Sequence, residues 1–155
     1  MIDGVITKPL KQVTDERGWL TEILRNDWEH FRKFGQVYVT AAYPQVVKAW
    51  HMHKRQIDNI SCIKGMVKLV LYDERTKSQT KGEINEFTMG ERNLLLVQIP
   101  PQVWHGFKTV SEHYSLVLNV PTELYNQKQP DEHRLSPETD KIPYDWKPAP
   151  WLKHG

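Results

Sequence analysis

One group of side chains has types and spacing suited to chemistry: His51-Met52-His53, then Asp58, and far downstream His105. Two histidines at i and i+2 of a strand point to the same face. Asp58 begins the next strand, which can return beside the first and carry a carboxylate toward both imidazoles. The run Ile99-Pro100-Pro101-Gln102-Val103-Trp104-His105-Gly106 supplies the third histidine at the start of a further strand. Two chemistries fit such a set. An imidazole titrates near neutrality and can serve as a general base. Alternatively, His51, His53, Asp58 and His105 form a sensible ligand set for a divalent transition metal such as zinc, iron, manganese or nickel. A single strand histidine is usually a packing or surface residue. Three histidines and an acid in one register point to an inward-facing functional cluster, and whether it holds a metal stays open.

Such a cluster needs strands to carry it. Gly35 to Ala42 contains Val37, Tyr38, Val39 and Thr40, all good strand formers. Strict alternation from Val46 to His53 would turn Val47, Ala49, His51 and His53 one way and Lys48, Trp50 and Met52 the other. On that pattern Lys48 points away from His51 unless a bulge intervenes. Ile57 to Ile63 and Met66 to Tyr72 flank Lys64-Gly65, a hairpin turn. Further strands are expected at 86–89, 94–99, 103–110 and 114–120. Many short strands at near-regular spacing indicate an all-β sandwich or small barrel. One helix is expected at 26–34, where capping residues precede Trp28 and Phe31. From Pro121 onward Pro, Asp, Glu and Lys dominate, so residues 126–155 are expected to pack on a barrel core of about residues 3–125, making one domain of 1–155. In that tail Trp146 and Trp151 read as packing anchors, and Asp131, Glu132 and Asp140 as solvated acids.

The bulk properties exclude several classes. At 155 residues, 39% hydrophobic and 26% charged, the chain fits one globular unit with a real core. Its net charge of +2, with Lys and Arg scattered, does not favour nucleic acid. The longest apolar runs, such as Leu94-Leu95-Leu96-Val97, are too short to cross a bilayer. The N-terminal residues lack a secretory pattern, and the single cysteine, Cys62, excludes an intrachain disulfide; a reducing cytoplasm is the expected compartment.

His53, four residues, Asp58, six residues and Gly65, followed by Pro100, four residues and His105, resembles the two cupin signatures, with Gln45 and Gln102 at two signature glycines. The implied fold is an antiparallel jelly-roll β-barrel, the cupin double-stranded β-helix. A narrower resemblance joins several segments. Asp15-Glu16-Arg17-Gly18 with Glu22, Gln36 with Tyr38, Lys48-Ala49-Trp50-His51, the run from Tyr72 to Gly82, and Ile99-Pro100 through His105-Gly106-Phe107 together resemble the dTDP-4-dehydrorhamnose 3,5-epimerases. The chain is also similar to short members of that family linked to spore-coat or surface polysaccharides.

That resemblance implies removal of a proton beside a C4 ketone of a nucleotide-linked sugar, with no cofactor. His51 would be the base, oriented by an acid, with His105 close by. Arg17 would meet the nucleotide phosphates and Glu22 the nucleotide base, across the interface of a homodimer. Gln36, Lys48 and Asn119 fall on substrate-binding positions. Asp58 falls where the family has a lysine, Asn119 where it has a tyrosine acid, and Lys48 where it has an arginine. Asn119 cannot deliver a proton as a phenol does, and Lys48 cannot make the same bidentate phosphate contact. Full 3,5-epimerisation is therefore not expected, and a single-centre epimerase would use a tyrosine such as Tyr38 or Tyr43. His51-Met52-His53-Lys54 is also similar to a segment of the sugar-nucleotide 3,4-ketoisomerases. Three classes stay in play: a metal-free epimerase or isomerase, a metal-dependent cupin, and a non-catalytic sugar-nucleotide binder.

Overall fold

Runs of β-branched and aromatic residues with two-residue alternation favour extended backbone, and the computed structural model, which describes residues 1–147, is all-β. The strands are β1 (Ile6–Pro9), β2 (Gln12–Asp15), β3 (Gly18–Thr21), β4 (Tyr38–Ala42), β5 (Val47–Met52) and β6 (Asp58–Lys64). They continue with β7 (Met66–Asp73), β8 (Ile84–Gly90), β9 (Leu95–Ile99), β10 (Val103–Thr109), β11 (Ser115–Asn119) and β12 (His133–Arg134). Two five-stranded sheets, ordered β1-β9-β6-β11-β4 and β12-β5-β10-β7-β8, form the jelly roll, and β2-β3 stands apart as a hairpin. Every pairing is antiparallel.

Strand alternation explains the two cores. Along β7, Val67, Leu69 and Leu71 enter the inter-sheet core with Ile60, Val97, Ile99 and Val117, while Val70 and Tyr72 join a second cluster on the outer face. There Trp50 and Trp104 are covered by Ile142, Tyr144 and Trp146 from the tail. The Trp50 and Trp146 rings lie 5.0 Å apart, and a buried aromatic of this kind contributes about 2–3 kcal/mol. Trp146 is thus the packing anchor its composition suggested; Trp151 lies outside the described residues. The sheet carrying β5 and β10 is therefore covered on both faces.

Three expectations change. The described residues contain no helix. Around Trp28 the chain makes successive tight turns, with Trp28 N–H donating to Arg25 O and Phe31 N–H to Trp28 O. The Asp27 carboxylate is taken by the Arg25 guanidinium, which also pairs with Glu22, and so does not cap a helix.

The second change concerns β5. His51 pairs with His105, but Lys48 pairs with Phe107, so Ala49 and Trp50 of β5 oppose the single residue Gly106 of β10. This bulge at Ala49-Trp50 resets the alternation. Val47, Ala49, Trp50 and Met52 all join the outer cluster, whereas Lys48, His51 and His53 face the interior. A Cβ on Gly106 would lie 2.3 Å from the Ala49 Cβ, so only glycine lets β10 pass the bulge.

The third concerns the tail acids. Asp140 is exposed, but Asp131 and Glu132 are half-buried at the site described below. At the turns, Gln45 and Gln102 adopt φ of 64° and 65°, the left-handed conformation for which glycine is suited. Both turns keep their shape without glycine, at about 1–2 kcal/mol each.

Candidate functional site

A pocket of about 540 Å³ opens between the two sheets. Sheet β12-β5-β10-β7-β8 contributes Lys48, His51 and His105, and the opposite sheet contributes Tyr38 and Asn119. Gln36 lines the same pocket, and its Oε1 accepts the Tyr125 N–H. Lys48 reaches the pocket only because of the bulge.

His51 is held by Glu132, which the composition of the tail had suggested was a solvated acid. Its Nδ1 donates to Glu132 Oε1 at 3.0 Å, which leaves the Nε2 lone pair for the pocket. The other Glu132 oxygen accepts from Arg134 at 2.9 Å. Strand β12 sets this geometry, because Arg134 pairs with His51 and His133 with Met52. Burial pushes the His51 imidazole below its ordinary value, partly offset by Glu132, so the ring is neutral near pH 7. Burial alone would raise the Glu132 carboxyl, but Arg134 and His51 outweigh it and hold it low. The neighbouring Asp131 carboxylate accepts the backbone N–H groups of Lys54, Arg55 and Gln56. Its carbonyl accepts from His53 Nδ1. Asp131 thus shapes the turn that follows β5.

Behind His51 lies a second cluster. Asp58 Oδ2 is 3.6 Å from His53 Nε2 and 3.7 Å from His105 Nε2. His105 Nδ1 donates to Val103 O at 3.2 Å. Burial, outweighing Asp58, pushes the His105 imidazole well below its ordinary value. The other Asp58 oxygen accepts from Gln56 Nε2 and Asn119 Nδ2, each at 2.7 Å. Asn119 Nδ2 also donates to Tyr38 Oη at 3.0 Å. Burial, with Asp58 and Glu132 adding to it, raises the Tyr38 phenol, which stays protonated.

The structure therefore gathers His51, His105, Tyr38, Gln36, Lys48 and Asn119 around one pocket, with His53 at its wall and Asp58 beneath. It does not gather Arg17 and Glu22. Arg17 is exposed in the β2-β3 hairpin and paired with Asp15, and Glu22 is paired with Arg25. Tyr43 is exposed away from the pocket; Tyr38 and Tyr125 line it, and of these Tyr38 is the one bonded to the buried Asn119. The four-residue metal set contracts to three: His53, Asp58 and His105 place donor atoms within 4.8 Å of one another, without His51. In both imidazoles Nδ1 serves a backbone carbonyl, which frees Nε2 for a shared cation, the arrangement metal-ligating histidines use. This three-donor set fits a divalent transition metal.

The jelly roll with histidines from β5 and β10 facing an inter-sheet pocket defines a cupin-type barrel. The chain belongs to the dTDP-4-dehydrorhamnose 3,5-epimerase family, whose sequence model matches residues 1–153. It is similar to the Probable low-salt glycan biosynthesis epimerase Agl13 of Haloferax volcanii, 42% identical over 147 residues and 94% of each chain. It is also similar to the Spore coat polysaccharide biosynthesis protein SpsL of Bacillus subtilis, 39% identical, covering 94% of this chain and 97% of that protein. Among solved structures, a dTDP sugar isomerase of Desulfovibrio desulfuricans G20 superposes with a TM-score of 0.89 and 33% identity, covering 94% of this chain and 92% of that one.

Proposed function

We propose that the chain is an epimerase of a nucleotide-linked sugar, a dTDP-linked 4-keto-6-deoxyhexose, working in polysaccharide or deoxysugar synthesis. One observation carries the reading. A histidine whose proton is pinned on Nδ1 by a carboxylate, and a tyrosine hydroxyl, enter one pocket from opposite sheets. Inversion needs that arrangement: a base on one face of the reacting carbon and an acid on the other.

In the proposed reaction His51 Nε2 takes the proton from a carbon beside the C4 ketone. The C–H pair becomes the C=C bond and the carbonyl π pair moves to oxygen, giving an enolate. Glu132 stabilises the imidazolium that forms. Tyr38 then protonates the same carbon from the opposite face and the ketone returns. Lys48, the cation brought inward by the bulge, meets the anionic part of the substrate, with Gln36 as a polar contact. The leading reading requires no cofactor. The relatives' names support polysaccharide synthesis as the context. Cys62, a buried free thiol, accords with a reducing cytoplasm, and no described helix is long and apolar enough to cross a membrane.

The test uses a dTDP-linked 4-keto-6-deoxyhexose in deuterated water. His51→Ala should lower deuterium uptake beside the ketone by about 10³-fold while nucleotide binding persists. Undiminished uptake would overturn the base assignment; uptake absent from the unsubstituted protein, with binding intact, would replace the enzyme reading by that of a binder.

A second reading rests on the convergence of His53 Nε2, His105 Nε2 and Asp58 Oδ2. A divalent metal held by these three would act as a Lewis acid toward a substrate carbonyl. Elemental analysis after purification should then find about one metal per chain, lost in His53→Ala. No uptake of zinc, iron, manganese or nickel would refute it.

A further inference from the structure

Asn119 has no freedom in how its amide is turned. Its Oδ1 accepts the backbone N–H of Asn59 at 3.0 Å, and a backbone N–H can only donate. The NH2 end must therefore supply both remaining bonds, to Asp58 Oδ1 at 2.7 Å and Tyr38 Oη at 3.0 Å. Rotating the amide by half a turn would set its oxygen against the Asp58 carboxylate and its NH2 against the Asn59 N–H, losing two bonds at once. Asp58 Oδ1 is itself fixed as an acceptor by Gln56.

This orientation determines that of the phenol. Tyr38 Oη receives a hydrogen from Asn119, so its own hydrogen must point elsewhere, and the Tyr38 side chain lines the pocket shared with His51 and His105. Asn119 and Tyr38 are direct partners in the β11-β4 register, so the contact is built into the sheet. Asn119 is 4% exposed and is not solvated in competition with this contact.

We propose that Asn119 is a positioning residue that holds the Tyr38 hydroxyl as a proton donor directed at the bound sugar. The inference rests on the reading of Tyr38 as the general acid. When the Tyr38 O–H bond breaks, the proton joins the carbon of the enolate and the bonding pair stays on the phenolate oxygen; solvent later restores the proton. The Asn119 N–H that faced a neutral hydroxyl then faces an anion. Its hydrogen bond strengthens as charge develops, which favours the transition state over the ground state. Asn119 thus occupies the position of a tyrosine acid in the resemblance and serves an acid on the neighbouring strand.

The test is a double-mutant cycle on a dTDP-linked 4-keto-6-deoxyhexose in deuterated water, reading deuterium uptake and net inversion separately. Tyr38→Phe should lose inversion by about 10²-fold or more while His51-dependent uptake with retention persists. Asn119→Ala should lower inversion about tenfold, leave uptake within about threefold, and change KM little. In the Tyr38→Phe background Asn119→Ala should cost nothing further, because its partner is gone. Additive losses, or equal loss of uptake and inversion in Asn119→Ala, would overturn the positioning role. Unchanged inversion in Tyr38→Phe would overturn the acid assignment on which it rests. Should Asn119→Ala fail to fold, Asn119→Ser sets no second carboxylate against Asp58, and the same non-additivity with Tyr38→Phe is expected.

Discussion

His51 and Glu132 are 81 positions apart in sequence yet 3.0 Å apart in space. The carboxylate fixes which imidazole nitrogen carries the proton and compensates the charge that proton abstraction would create. Glu132→Gln keeps an acceptor of similar shape and removes the charge. It should lower kcat by about 10²-fold with a small change in KM, read by steady-state kinetics; equal effects on both would instead mean a lost substrate contact. The three histidines and Asp58 could be picked out from spacing alone, since i, i+2 positions and a returning strand are local patterns. Glu132 could not. It sits in a run of Pro, Asp, Glu and Lys beside a strand of two residues, too short for alternation to register. Asn119 was visible as a substrate-binding position, but its hydrogen bonds to Asp58 and Tyr38 depend on a pairing of β11 with β4 and β6 that only the fold supplies.

At the scale of elements, eight of the strands were readable because their apolar and β-branched residues alternate. β1 and the β2-β3 hairpin were not. All four residues of β2 are exposed, so no buried face marks the strand. The expected helix is replaced by tight turns around Trp28, with Asp27 paired to Arg25. The bulge in β5 was visible only as a condition on where Lys48 points, since it comes from the fit of Ala49 against Gly106. The loop between β7 and β8 offers a test of stability. Asp73 is fully buried and accepts hydrogen bonds from Arg75, Ser78 and Thr80. Burial opposes ionisation, but those bonds prevail and hold the carboxyl well below the usual carboxylate range. A depressed carboxyl stabilises the fold above its unfolded value of about 3.9, and that contribution is lost as pH falls toward the folded value. Asp73→Asn should therefore destabilise by about 3 kcal/mol at pH 7, and the gap should narrow below about pH 4. Denaturant unfolding at several pH values reads this directly; a gap that does not change with pH would refute it.

For the molecule as a whole, the hairpin is the part the barrel leaves unexplained. Among the described residues β2 and β3 pair with each other and with no further strand, and they expose Val13, Trp19 and Leu20 together with Arg17. The proposed working form is a homodimer in which hairpin residues of one copy serve the other's pocket. Sedimentation should find a dimer at micromolar concentration, and Arg17→Ala should raise KM about tenfold with kcat little changed, the mark of lost uniform binding. A monomer of full activity would refute the arrangement.

The late position of β12 also has a bearing on the order of events during synthesis. A ribosome releases the chain from its N-terminus, so β4 through β11 can pair before residues 131–134 leave the exit tunnel. Until then His51 has no carboxylate on Nδ1, the turn after β5 lacks the three bonds from Asp131, and Trp50 has no aromatic cover from Tyr144 and Trp146. Gln129, Asp131, Glu132 and Arg134 also line the pocket, so the nascent barrel lacks both an oriented base and part of the pocket wall. Docking of the tail is then the event that joins completion of the fold to the onset of chemistry.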